Sequence, residues 1–423
     1  MLILILILLF ELYLIRKVIR YYLLSPIYLY ILFSIISIIA SVLYFEFYQP
    51  KINLYNFDVI KSDYFYKVVK QYLVALIAFN IGIIIYYEFS KQETKLLFNR
   101  SFSDKLFINI KSKKNLIKKA RNLLVIIILL YFLVYGKSII IRNIYLPDVS
   151  RGGIIAIKIL SFIEAVMLGF AYKENKTKSR LYLFILLLIS MGTGSRTVFL
   201  SLLVYIIIIF ITQGNTLKNK IKFFTNLIIS FVFLAYLMRF RGLHSHGVYP
   251  YLMSLGEVNN TIKSIVFNLY YSLIFGVYVT AKTLQEASLN WHLIYISLHP
   301  LPGRFVGWYN HINEFKLNPF APYSLHGIVF KMGNLFTFLY FFMTGVIFAY
   351  MEKKVRQYLS NNQRTIAFVI TLLLLLHIVY GFEYPLRSAF RYIYYAFFVI
   401  LIASFFNRYK FTLKTSVNHK HEQ

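Results

Sequence analysis

Residues 181–212 read LYLFILLLISMGTGSRTVFLSLLVYIIIIFIT, an apolar run interrupted only by Gly192-Thr193-Gly194-Ser195-Arg196. Lys178 and Arg180 bracket it on one side and Lys218 on the other. One crossing of a bilayer core takes about 20 helical residues, so the run is too long for one span and barely enough for two. The solution it predicts is a broken helical hairpin with arms 181–191 and 197–212. A glycine-rich turn then carries Arg196 near the far side of the membrane. Non-helical backbone and a charge persist at that depth only where they line a protein-walled or watery cavity. Arg196 therefore marks an expected anion site inside a membrane protein.

The rest of the chain agrees. Of 423 residues 59% are hydrophobic, with 41 Phe and 37 Tyr, too apolar and aromatic for a soluble domain of this size. The expected fold class is an all-α polytopic integral membrane protein. The formal charge of +30 reports loop orientation, and no nucleic acid is expected as a partner. With no cysteine, disulfides and thiolate metal sites are excluded. Residues 1–10 lack a basic n-region and a small-residue cleavage site, so they read as a membrane segment and not a signal peptide.

Apolar runs predict about eleven spans, near 2–15, 27–48, 68–89, 122–136, 153–172, 181–191, 197–212, 223–238, 335–351, 365–382 and 392–407. Alternate connections placed in the cytoplasm hold 28 of the 46 basic residues, as the positive-inside rule requires. Residues 264–281 look apolar enough to cross, but one added crossing would put Lys353, Lys354, Arg356 and Arg364 outside. They are expected to form a re-entrant or interfacial helix, or one of two crossings paired with 292–298. The organisation expected is eight transmembrane helices in 1–238, a large outer loop or lid over 239–334, and the remaining spans and a cytoplasmic tail in 335–423. Loops of that length with structure of their own are usually functional.

The lid holds both tryptophans, Trp291 and Trp308, and six of nine histidines. Rings beside polar partners suit sugars, whose C–H faces stack while their hydroxyls need hydrogen bonds. An interfacial aromatic belt produces the same rings. Five prolines between Pro250 and Pro322 break the region into loops and short helices.

Arginine use also differs between the two sides. The inner basic residues comprise 8 Arg and 20 Lys, the remainder 8 Arg and 10 Lys. The remainder includes Arg142, Arg151, Arg196, Arg239, Arg241, Arg304, Arg387 and Arg391. Guanidinium forks bind phosphate bidentately and stay charged when partly desolvated, which suits a lipid-linked pyrophosphate; snorkelling arginines and salt bridges are the bland alternative. Glu383, Arg387 and Arg391 follow at i, i+4 spacing, on one face of a helix after Gly381. Glu257, Glu314 and Glu286 are candidate carboxylate bases, with His326 before Gly327 a further one. His244-Ser245-His246 has no carboxylate cluster nearby, and neither metal nor cofactor is expected.

With these residues located, the chain resembles the bacterial O-antigen and capsule repeat-unit polymerases, the Wzy-type oligosaccharide polymerases. The resemblance rests on the Gly194-Ser195-Arg196 turn, Arg239-Phe240-Arg241-Gly242, and Pro300-Leu301-Pro302-Gly303-Arg304. It continues through Asn318-Pro319-Phe320-Ala321-Pro322-Tyr323-Ser324 with His326-Gly327, and the Arg387 cluster. An Arg-x10-Gly spacing found in some members occurs only at Arg142 to Gly153, outside the large loop, and its role is not carried over. The resemblance implies transfer of a growing glycan from undecaprenyl pyrophosphate onto another lipid-linked repeat unit, at the outer face of the bacterial inner membrane. It implies undecaprenyl-pyrophosphate-linked oligosaccharides and membrane lipids as ligands, with a chain-length regulator and a flippase of the same pathway as partners. By that analogy Arg196, Arg241, Glu257 and His326 are the expected catalytic residues. Arg239, Arg304, Arg387, Arg391, Trp291, Trp308 and Tyr323 are the expected substrate-binding set. The related O-antigen ligase shares donor and topology. A flippase for the same lipid-linked sugars is the rival from another class.

Overall fold

The computed structural model describes residues 13, 25–47, 60–90, 115–145, 147, 149–195, 197–213, 216–318, 321–361, 363–383 and 385–418. Apart from Tyr13, the expected span 2–15 lies outside the described residues, as does Arg196. The helices are α1 Pro26–Phe47, α2 Ser62–Phe89, α3 Leu116–Tyr135, α4 Arg151–Ala171, α5 Lys176–Met191, α6 Thr197–Gln213 and α7 Leu217–Arg239. There follow α8 Val248–Met253, α9 Val258–Glu286, α10 Trp291–Leu298, α11 Leu325–Lys331, α12 Asn334–Ser360, α13 Arg364–Glu383 and α14 Leu386–Asn418. Among the described residues the one sheet is a pair of short antiparallel strands, Lys316–Asn318 and Ala321–Pro322.

Nine described helices are long and apolar enough to cross a membrane: α1, α2, α3, α4, α7, α9, α12, α13 and α14. The broken hairpin is present as α5 and α6, of 16 and 17 residues, either side of the 192–196 turn. Residues 264–281 lie within α9, one continuous helix of 29 residues, where the sequence suggests a re-entrant or interfacial segment. The alternative pairing with 292–298 lacks its second crossing, because α10 has only 8 residues. The basic residues used to set that parity are also poor reporters of orientation. Lys353 and Arg356 are buried, and a buried, paired charge reflects packing.

The chain forms two compact units, one of Met1–Lys105 with Ser272–Gln423 and one of Leu106–Tyr271. The expected lid over 239–334 is thus divided between them, and α9 runs through the division. In the first unit α2 and α12 run side by side in parallel, backbone against backbone. A side chain at Gly82 would collide with the Phe342 carbonyl, and one at Gly345 with that of Phe79. Small residues at such a seam allow the close approach on which helix packing in lipid depends. Around it lies an aromatic core: Tyr30 sits 4.6 Å from Phe79, and Phe79 5.6 Å from Phe348. At one end Glu352 and Arg356 pair at 2.7 Å, and Ser25 donates to the same carboxylate at 2.5 Å.

The second unit is built from α3 to α8 and the first half of α9. Asn175 and Thr216 cap α5 and α7 by accepting from Lys178 and Asn219 backbone N–H groups, satisfying donors a helix start leaves free. The hairpin turn is tightly seated. Gly194 has φ +72°, and a side chain at Gly192 would run into the Ile139 carbonyl and Val248. Tyr145 donates its hydroxyl to the Gly194 carbonyl at 2.7 Å.

Candidate functional site

In the first unit, the segment after α9 folds back on itself to enclose a cavity of about 270 Å³. Asn290 caps α10 by accepting from His292 N–H, and Ser324 caps α11 by accepting from Gly327 N–H. These caps set the two walls. Leu293, Ile294, Phe315, Ile328 and Leu386 form an apolar floor, and Ser288, Asn290, Ser297, Glu314 and Tyr323 supply polar groups. Glu314 Oε1 lies 2.7 Å from His311 Nδ1, both partly open to solvent. The His311 ring meets His292 edge-on at 5.6 Å. Burial, and then the Glu286 carboxylate, push the Tyr323 phenol up, so it enters the cavity as a neutral hydroxyl. A carboxylate backed by an imidazole beside hydroxyl and amide groups can orient a polyol and take a proton from it.

The second unit has a smaller cavity of about 140 Å³ beside the hairpin turn, lined by Tyr131, Ser161, Ser190, Thr193, Ser201 and Lys158 among others. Tyr131 donates to Ser190 Oγ at 2.8 Å. Thr193 of the turn borders this cavity, and Arg196, the residue expected to mark a site there, lies outside the described residues.

The expected site residues are sorted differently from the sequence reading. Arg387 is 2% exposed. Its Nη groups donate to the carbonyls of Ile296, His299 and Leu301, and its guanidinium lies over Trp308 at 5.4 Å. Its Nη groups thus hold the turn after α10, which leaves only the buried Nε without an acceptor. Trp308 is 8% exposed and stacks on Phe315 at 4.3 Å, so it is core and not a sugar platform. Trp291, 66% exposed, keeps its ring open. Glu383, Arg387 and Arg391 do not share a helix. Glu383 ends α13 and Arg387 lies in the first turn of α14, because Pro385 lacks the N–H needed to continue a helix. Arg391 is half-buried and Arg304 exposed.

His326 is 2% exposed. Its Nδ1 is 3.1 Å from Tyr72 OH, and Phe382 and Phe341 close over the ring at 4.7 and 5.3 Å. It is a core histidine at the end of a hydrogen-bonded chain that runs from Tyr72 through Thr280 to Ser324, shut off from any acceptor, and so not the expected base. Arg239 donates to Glu257 at 2.8 Å, to the Ser254 carbonyl at 3.1 Å and to Thr261 Oγ1. Glu257 and Arg239 thus clamp the entry of α9, and Glu257 lines neither cavity. Arg241 sits in the 3₁₀ turn Phe240–Gly242, its side chain outside the described part. Arg142 donates to carbonyls of Ser138, Ile144, Tyr145 and Gly192, stapling the hairpin turn, and burial pulls its guanidinium below its ordinary value. Among the sequence candidates, the first cavity brings together Glu314 and Tyr323.

Sequence reasoning passed over Glu164, on the buried face of α4. The available signal was one carboxylate in a span whose other charge within 153–172 is Lys158.

These helices define an all-α, multi-pass membrane protein. No family model, no curated protein and no solved structure matches the chain.

Proposed function

We propose that this protein is a bacterial membrane glycosyltransferase that polymerises polyprenyl-pyrophosphate-linked oligosaccharide units at the outer face of the cytoplasmic membrane. The observation that carries the reading is the Glu314–His311 pair at the polar edge of a cavity with an apolar floor. In this scheme Ser288, Asn290 and Tyr323 orient the acceptor sugar by hydrogen bonds to its hydroxyls. Glu314 takes the proton from the acceptor hydroxyl as its oxygen attacks the donor's anomeric carbon. The bond from that carbon to pyrophosphate breaks as the glycosidic bond forms. Pyrophosphate leaves as a stable anion, a charge that guanidinium groups are suited to stabilise. Arg196 and Arg241 hold that role from the resemblance alone, whereas the Nη groups of Arg387 and Arg239 already donate to protein acceptors.

The test is the surface-polysaccharide ladder of a deletion strain carrying wild type, Glu314→Gln or His311→Ala, with membrane levels matched. The reading expects single repeats in the deletion strain and in Glu314→Gln, with the full ladder restored by wild type. A full ladder from Glu314→Gln would remove the assigned base. Loss of all attached sugar in the deletion would favour the ligase or flippase reading.

A further inference from the structure

Polar groups recur along the C-terminal half of α4, from Ser161 to the end of the helix. At the cavity beside the hairpin turn, Ser161 Oγ lies 3.4 Å from Tyr131 OH. Near the far end Ser179 donates to the Leu168 carbonyl at 2.8 Å and meets Tyr205 OH at 3.1 Å. Just past the helix, Tyr172 accepts from Arg180 at 2.7 Å and from Lys222 at 3.4 Å. Between these groups stands Glu164, one turn beyond Ser161, or about 4.5 Å along the axis.

Glu164 is 0% exposed, and neither carboxylate oxygen has a hydrogen-bond partner among the described residues. The titratable groups along this face are the phenols Tyr131, Tyr205 and Tyr172. The cations are Lys158, exposed where it borders the cavity, and Arg180 and Lys222, engaged with Tyr172. A bare carboxylate in a membrane helix is strongly disfavoured, whereas the neutral acid is tolerated. Glutamine would fill the same space without titrating, so the carboxyl is a feature that packing alone does not call for.

We propose that Glu164 is an intramembrane proton-binding site, loaded through the cavity beside the 192–195 turn. The cavity lining reaches Ser161, one turn short of Glu164; hydronium there gives up one proton that crosses this turn to the carboxylate, leaving water and a neutral acid, and release is the reverse step. No other reactant is required.

The test is infrared difference spectroscopy of the full-length protein in lipid nanodiscs, wild type against Glu164→Gln, across a pH series in H₂O and D₂O. The expected result is a protonated-carboxyl C=O band in wild type that Glu164→Gln lacks, that fades as pH rises and that shifts in D₂O. No such band at any pH overturns the proposal. So does a band that neither titrates nor shifts, which would make Glu164 a sealed structural acid. Should Glu164→Gln fail to fold, wild type is treated with a lipid-soluble carbodiimide and the adduct mapped by mass spectrometry. Modification of Glu164 that declines with rising pH supports the site, and none at any pH overturns it.

Discussion

Glu352 in the first unit and Glu164 in the second are both glutamates on membrane helices with no exposed surface. Glu352 has Arg356 one turn along its own helix and Ser25 from another segment. Glu164 has no partner among the described residues. The contrast separates two uses of buried charge. A paired carboxylate fixes how helices pack, because removing either member strands the other in a low-dielectric interior. An unpaired one is retained at a cost to stability, which points to a task.

The largest expected effect falls on the paired site. Glu352→Ala or Arg356→Ala should destabilise the protein by about 3–5 kcal/mol, read as a lowered thermal midpoint in detergent. Replacing both by apolar residues of similar volume should recover most of that loss. Glu164→Gln should leave the midpoint nearly unchanged, and a large loss there would erase the contrast between the two glutamates.

Next comes Arg387, a cation that uses carbonyls where Arg356 uses a carboxylate. Arg387→Ala strands the buried carbonyl of Ile296, at about 1–3 kcal/mol, while the part-buried carbonyls of His299 and Leu301 turn to water. Hydrogen exchange should rise across 294–303 while the α2–α12 seam stays protected. The seam has its own test: Gly82→Leu should cost about 1–3 kcal/mol through overpacking, seen as a lowered midpoint.

The smallest effect concerns pH. His246 is buried, and burial and then Arg142 pull its imidazole below its ordinary value of 6.5. The folded ring is therefore neutral where the unfolded one begins to take a proton. The stability this provides is present above about 6.5 and is lost as pH falls from there toward the folded value. His246→Gln should flatten the decline of thermal midpoint on acidification. An unchanged slope would assign that decline to other groups.

The helices were legible because an apolar run in a membrane protein has few alternatives, and the 192–196 break shows directly in the glycines around Arg196. Helix α9 was harder. Its crossing was judged from Lys353 and Arg356, whose burial a sequence does not display. The arginines misled for a related reason. Arg387 is separated from the carbonyls it holds by some 86–91 residues, so its occupation is invisible along the chain. Trp308 looked like a binding ring because exposure, too, is a tertiary property. Glu314 and Tyr323 were nameable as chemistry but not as neighbours. Glu164 is hard to read from the chain because Lys158 sits in the same span, and only burial separates the exposed lysine from the enclosed carboxylate.

The most direct test of the proposed activity uses the purified full-length protein in nanodiscs, given a polyprenyl-pyrophosphate-linked oligosaccharide as both donor and acceptor. The account predicts lengthened lipid-linked glycan with release of one polyprenyl pyrophosphate per bond formed. Glu314→Gln should be slower by about 10²–10⁴-fold at unchanged thermal midpoint. Equal rates for Glu314→Gln and wild type would contradict the account at its centre.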